Sequence, residues 1–182
     1  MKANQLARYG LLTTVMLVLG FIERQFVLVP TVPGIKLGLP NTVLVYIACI
    51  EGAGPAFLLM GLKVGLSALL FGSFTGMVYA LFGGLFSITA MLLLSRWKGI
   101  GVCGVSICGA VLHMLGQMAA SRVLLGSWVM LTVLPYLLAA GAIAGVLTGI
   151  ASQGMMIGLA HNDPQLKERL AARGWYQKKT HK

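Results

Sequence analysis

Apolar runs follow one another along this chain with only short polar turns between them. They cover residues 6–29, 37–50, 56–74, 76–94, 100–125 and 128–159. A run of about 20 apolar residues spans a bilayer core as a helix, and no single soluble core buries six such runs. Charged residues make up 10% of the chain, against about 25% in soluble domains. The pattern predicts an all-α integral membrane protein. Residues 1–160 are expected to form a six-helix transmembrane bundle, and residues 161–182 a basic cytoplasmic tail.

A net charge of +10 raises the question of nucleic acid. The basic residues flank apolar runs and form no stripe with interleaved aromatics, which argues for a lipid membrane as the partner and excludes nucleic acid. Lys2 and Arg8 precede the first run as in a signal peptide, but the run meets Glu23 and Arg24 without a small-residue cleavage site and reads as a retained helix. Cys49, Cys103 and Cys108 sit in or beside apolar runs with no CxxC pair. They read as small apolar fillers, with neither metal nor disulfide expected.

The second run differs from the others. Residues 37–50 would make only about 21 Å of helix against a hydrocarbon core of about 30 Å. The preceding stretch, Val32-Pro33-Gly34-Ile35-Lys36-Leu37-Gly38-Leu39-Pro40-Asn41, is broken by Gly and Pro and carries a lysine. It must supply the missing depth by dipping into the bundle or capping it. Irregular backbone at that depth is tolerated only where protein buries it or it lines a wet cavity. The segment is therefore read as part of a ligand site next to a short or broken second helix, with Asn41 as its N-cap.

Six spans place both termini on one side. Ten of the fourteen Lys and Arg residues then share that side: Lys2, Arg8, Arg96, Lys98, Lys167, Arg169, Arg173, Lys178, Lys179 and Lys182. Cytoplasmic loops are enriched in Lys and Arg, so both termini are expected in the cytoplasm of a cell whose inner membrane holds the chain. In the tail, Asp163-Pro164 starts a helix, and Leu166 and Leu170 share one face, which is expected to lie on anionic headgroups.

Intramembrane polar residues are expensive and usually functional. Lys63 falls mid-run, too far from either end to reach water, and reads as an anion ligand or as glue to Glu23 or a backbone carbonyl. Lys36 and Glu23 flank the broken segment. His113 and Gln117 lie four apart on one helix face, and Asn41 opens a helix whose N-terminus favours anions. These six residues are the candidate substrate-binding set. Gly61/Gly65, Gly72/Gly76 and Gly141/Gly145/Gly149 carry the small-xxx-small spacing of close helix packing, inside the bundle or between copies.

No catalytic pattern stands out. The chain has four acidic residues and no carboxylate cluster of the kind that holds magnesium and diphosphate. It has no nucleotide-binding glycine loop and no HExxH. No cofactor, metal site or enzymatic activity is expected.

The segment Pro33-Gly34-Ile35-Lys36-Leu37-Gly38-Leu39-Pro40-Asn41 resembles a family of small membrane proteins, heptaprenyl diphosphate synthase component I, also called the Gx transporter family. Leu62-Lys63-Val64, Leu69-Leu70-Phe71-Gly72, Gly109-Ala110-Val111-Leu112-His113 and Gly116-Gln117 extend the likeness over most of residues 6–155. That family is similar to the substrate-binding S components of energy-coupling-factor (ECF) transporters. The resemblance implies an S-component-like bundle that binds a small, anionic cofactor precursor or isoprenoid-like molecule near the outer face. It also implies a transmembrane coupling protein with two ATPase subunits as partners. S components dock through small residues on their first helix, and Ala3, Ala7, Gly10 and Thr14 match that role here. The synthase label implies an alternative: a non-catalytic membrane subunit in isoprenoid or menaquinone biosynthesis.

Overall fold

The computed structural model describes residues 3–25, 37–71, 74–97, 99–126 and 129–176. They form helices α1 (Ala3–Gln25), α2 (Asn41–Ile50), α3 (Ala53–Phe71), α4 (Phe74–Leu94), α5 (Val102–Leu125), α6 (Leu134–Asn162) and α7 (Pro164–Ala172), with a 3₁₀ turn at Val129–Val133. No strand occurs among the described residues.

Five helices, α1, α3, α4, α5 and α6, are long and apolar enough to cross a membrane. Their outward faces are largely apolar. Leu58, Leu62, Leu69, Leu85, Phe86, Ile143, Leu147, Ile150 and Ile157 all point outward and are exposed. A soluble monomer does not carry so continuous an apolar surface, so this outer surface is the one lipid covers. The chain is a multi-pass membrane protein.

Successive helices alternate in direction. The start of α1, the end of α2 and the ends of α4 and α6 meet at one end of the bundle, called here the basic end because it carries Arg8, Arg96, Lys167, Arg169 and Arg173. Arg8 of α1 reaches the C-cap of α2 there. Its guanidinium pairs with Glu51 Oε1 at 2.5 Å and donates to the Tyr46 hydroxyl. The Tyr9 hydroxyl donates to Glu51 Oε2 at 2.9 Å.

Helix α2 is not one of the long spans. Its 10 residues rise about 15 Å, shorter still than the sequence suggests. Every residue from Thr42 to Cys49 is buried. It is a central strut with no lipid face, packed against α6, α3, α4 and α5. Its upper end therefore lies inside the bundle, and Leu37–Pro40 lead into it there; residues 32–36 of the broken segment lie outside the described residues.

Glycines set how closely the outer helices approach. On α6, a Cβ at Gly145 would sit 2.5 Å from Ile107 Cα, and one at Gly149 would sit 2.8 Å from Cys103 Cα. At the α4–α5 crossing, a Cβ at Gly116 would meet the Phe82 carbonyl oxygen at 2.5 Å. The Gly141/Gly145/Gly149 series thus seams α6 to α5, as small-xxx-small spacing allows. Gly61 and Gly65 share that spacing but face open space, so their spacing serves no contact among the described residues. Gly145→Ala forces the α5 and α6 backbones apart and is expected to destabilise the fold by about 1–3 kcal/mol. Gly154→Ala on the same helix, where a Cβ meets nothing within 4 Å, is expected to leave the melting temperature unchanged or slightly raised. Equal melting temperatures for the two variants in detergent contradict this account.

The segment after α6 departs from expectation. Asp163 caps α7, its Oδ1 accepting from the amides of Gln165 at 3.0 Å and Leu166 at 3.1 Å. Leu166 and Leu170, read from the sequence as a pair lying on headgroups, are instead buried with Trp175 in the same apolar core as α2. Trp175 Nε1 donates to the Ile100 carbonyl at 2.9 Å, and Arg173 Nη1 donates to the Ser95 carbonyl at 3.3 Å. The apolar face of α7 is used up against the bundle, which leaves its basic face outward.

Candidate functional site

A cavity of about 590 Å³ opens inside the bundle, above the start of α2. Five of the six residues proposed from the sequence line it: Glu23, Asn41, Lys63, His113 and Gln117. They come from four helices and meet because α2 begins at mid-depth. Lys63 is ten residues into α3 and His113 eleven into α5, so both lie about 15 Å from the basic end. Lys36, the sixth, lies outside the described residues.

The turn into α2 organises the floor. Gly38 takes φ +76°, a left-handed conformation that favours glycine. This closes a tight turn in which Asn41 N donates to the Gly38 carbonyl at 2.7 Å and Thr42 N to the Leu39 carbonyl at 3.2 Å. The backbone so satisfies its own first amides, and the expected cap is not made. Pro40 occupies the N-cap position without a side-chain bond, and Asn41 is the first helical residue. Its side chain is released for another partner, and Lys63 Nζ donates to Asn41 Oδ1 at 2.9 Å. Glu23, 8% exposed, accepts from the Gly38 amide. It thereby ties the far end of α1 to the turn.

The opposite wall is α5. Gly83 of α4 carries no side chain where the His113 ring sits; a Cβ there would lie 2.7 Å from His113 Cε1. His113, Gln117 and Ser121 follow at four-residue spacing along one face, and all three line the cavity. Ser121 was not singled out from the sequence, although the i, i+4 pair His113/Gln117 extends to it directly. Arg24 was also missed as a lining residue. Its guanidinium lies 4.1 Å from the Phe71 ring centroid, and Phe71 in turn stacks on Phe21 with ring centroids 6.1 Å apart. This pins α1 to α3 on the side away from the basic end.

Six of the ten methionines, Met16, Met60, Met77, Met91, Met114 and Met118, line the same cavity. Methionine is unbranched and polarisable and fills irregular space, so these walls suit an apolar ligand body. Lys63 and Arg24 face the cavity with one carboxylate, Glu23, which is engaged with a backbone amide. Positive charge is in excess. Among the described residues no group of three His, Cys, Asp or Glu side chains could hold a metal ion.

Together these features define a multi-pass helical membrane protein with a part-polar, part-methionine cavity set within the bundle. The family model for heptaprenyl diphosphate synthase component I matches residues 12–155, which span the helices that build this cavity. The chain belongs to that family. Comparison with curated proteins gave no match, and comparison with solved structures gave none.

Proposed function

We propose that this chain is the ligand-binding membrane subunit of an ECF-type importer. It holds a small anionic molecule with an apolar body, such as a cofactor precursor or an isoprenoid-like acid, and catalyses no reaction itself. The observation that carries this reading is Lys63, a half-buried cation at mid-depth on a cavity wall, oriented by Asn41. A cation held there is expensive in apolar surroundings, and an anionic ligand offsets that cost. The methionine walls accept the rest of the ligand.

In this reading both termini are cytoplasmic, because the basic end carries most of the Lys and Arg among the described residues. The cavity then lies toward the outer half of the membrane. The partners are a coupling membrane protein and two ATPase subunits.

The family's description favours a second reading: a non-catalytic component I of heptaprenyl diphosphate synthase, with a soluble synthase subunit as partner. The methionine walls suit an isoprenoid chain equally well. Native mass spectrometry of the protein purified from its own membrane separates the two. Co-purification with a coupling protein and ATPases supports the importer. Co-purification with a soluble prenyl synthase, together with a bound polyprenyl diphosphate, rejects the importer in favour of the synthase subunit.

A further inference from the structure

Ser121 is 1% exposed, and its Oγ has no hydrogen-bond partner. Hydroxyls in apolar helices usually donate back to the carbonyl four residues earlier. This protein follows that habit elsewhere: Thr13 donates to Tyr9 O, Thr14 to Gly10 O, Thr89 to Leu85 O and Thr148 to Ala144 O. Buried serines that do not turn back find other partners, Ser152 at the Thr42 carbonyl and Ser106 at the Thr148 hydroxyl. Among the described residues Ser121 carries the one fully buried hydroxyl left without a partner, and it lines the cavity. A buried polar group left without a partner is rare and needs a reason.

We propose that Ser121 binds a second polar group of the ligand, so that the ligand is an anion carrying a hydroxyl, carbonyl or ring nitrogen some distance from its acid. The inference rests on the reading of Lys63 as the anion site. Ser121 lies eight residues beyond His113 on α5, about 12 Å farther from the basic end. Lys63 and His113 share the deeper level. A ligand that reaches from Lys63 to Ser121 therefore spans about two helical turns, with Met114 and Met118 of the same helix lining the cavity along its length. A plain hydrocarbon tail gains nothing there, because it leaves the Ser121 hydroxyl buried and unbonded as it already is in the empty protein. A functionalised tail satisfies it.

The test compares two probes of equal chain length, decanoate and ω-hydroxydecanoate, by calorimetry on the whole protein in detergent. The quantity read is the ratio of their dissociation constants in the wild type and in Ser121→Ala. Partitioning of each acid into detergent is the same for both proteins and cancels. The preference for the hydroxy acid should be about three- to tenfold greater in the wild type, the size of one net hydrogen bond. Decanoate alone should bind both proteins alike. Equal ratios in the two proteins overturn the proposal. Lys63→Met separates the two readings: it should weaken both acids together, and unchanged binding of both rejects the anion site while leaving the Ser121 ratio to stand or fall by itself. If neither acid binds the wild type, both readings fail.

Discussion

Lys63→Met is expected to weaken binding of an anionic ligand by about 30-fold or more, while the ligand-free protein melts at the same temperature or higher. The two halves of that result come from opposite sides of one energy balance. A half-buried lysine at mid-depth destabilises the empty protein, because its charge has lost part of its hydration. Replacing such a charge with an apolar side chain of similar length is often neutral or stabilising. Methionine also matches the walls already present at Met60 and Met77. With ligand bound, the same change removes one partner of a desolvated pair, a loss on the order of 2–5 kcal/mol. If Lys63 instead served as glue for the turn at Asn41, the pattern would reverse: melting would fall with the lost bond at 2.9 Å, and affinity would hold. Thermal melting and calorimetry on one preparation distinguish the two, and unchanged affinity rejects the anion site.

Much of this arrangement is legible in the sequence because membrane helices leave strong signals. The long apolar runs correspond to α1, α3, α4, α5 and α6, although α6 starts only at Leu134 after a 3₁₀ turn and residues 26–29 of the first run lie outside the described residues; lipid demands continuous apolar surface and closed backbone hydrogen bonds. The short second run pointed to backbone inside the bundle, and Glu23, Asn41, Lys63, His113 and Gln117 converge because of it. What the sequence hid depends on tertiary contact. Asn41 is placed as a cap by local preference, yet the Gly38 turn supplies the needed carbonyls and frees the side chain for Lys63. Leu166 and Leu170 have the spacing of a lipid-facing stripe, and the same stripe fits a protein groove; Trp175, beyond the helix, completes the packing. Identical small-xxx-small spacing at Gly61/Gly65 and at Gly145/Gly149 has opposite outcomes, open space in one case and backbone contact in the other. Spacing identifies a face that can pack closely, and only the surrounding helices determine whether it does.

The first helix shows the same division between its two faces, and it yields the second large effect. Tyr9, Thr13, Met16, Gly20 and Glu23 turn inward toward the core and the cavity. Ala3, Ala7, Gly10 and Thr14 lie on the other side, and all four are exposed. A Cβ at Gly10 would meet nothing within 4 Å, and the Thr14 hydroxyl is folded back on the Gly10 carbonyl at 2.9 Å. This face carries only short side chains, and among the described residues it lies open. Its 4-3-4 spacing is that of a seam between helices, and small residues let a second backbone approach closely enough for dispersion contacts and weak hydrogen bonds to hold it. Under the importer reading, the coupling protein docks here. A tryptophan on the face would hold the two backbones apart along the seam. Ala7→Trp and Gly10→Trp are each expected to abolish capture of the coupling protein from solubilised membranes, with melting temperature and ligand affinity of the isolated chain unchanged. Those two controls matter because a variant that merely misfolds loses all three properties together. Capture that survives both substitutions shows that α1 is not the docking helix.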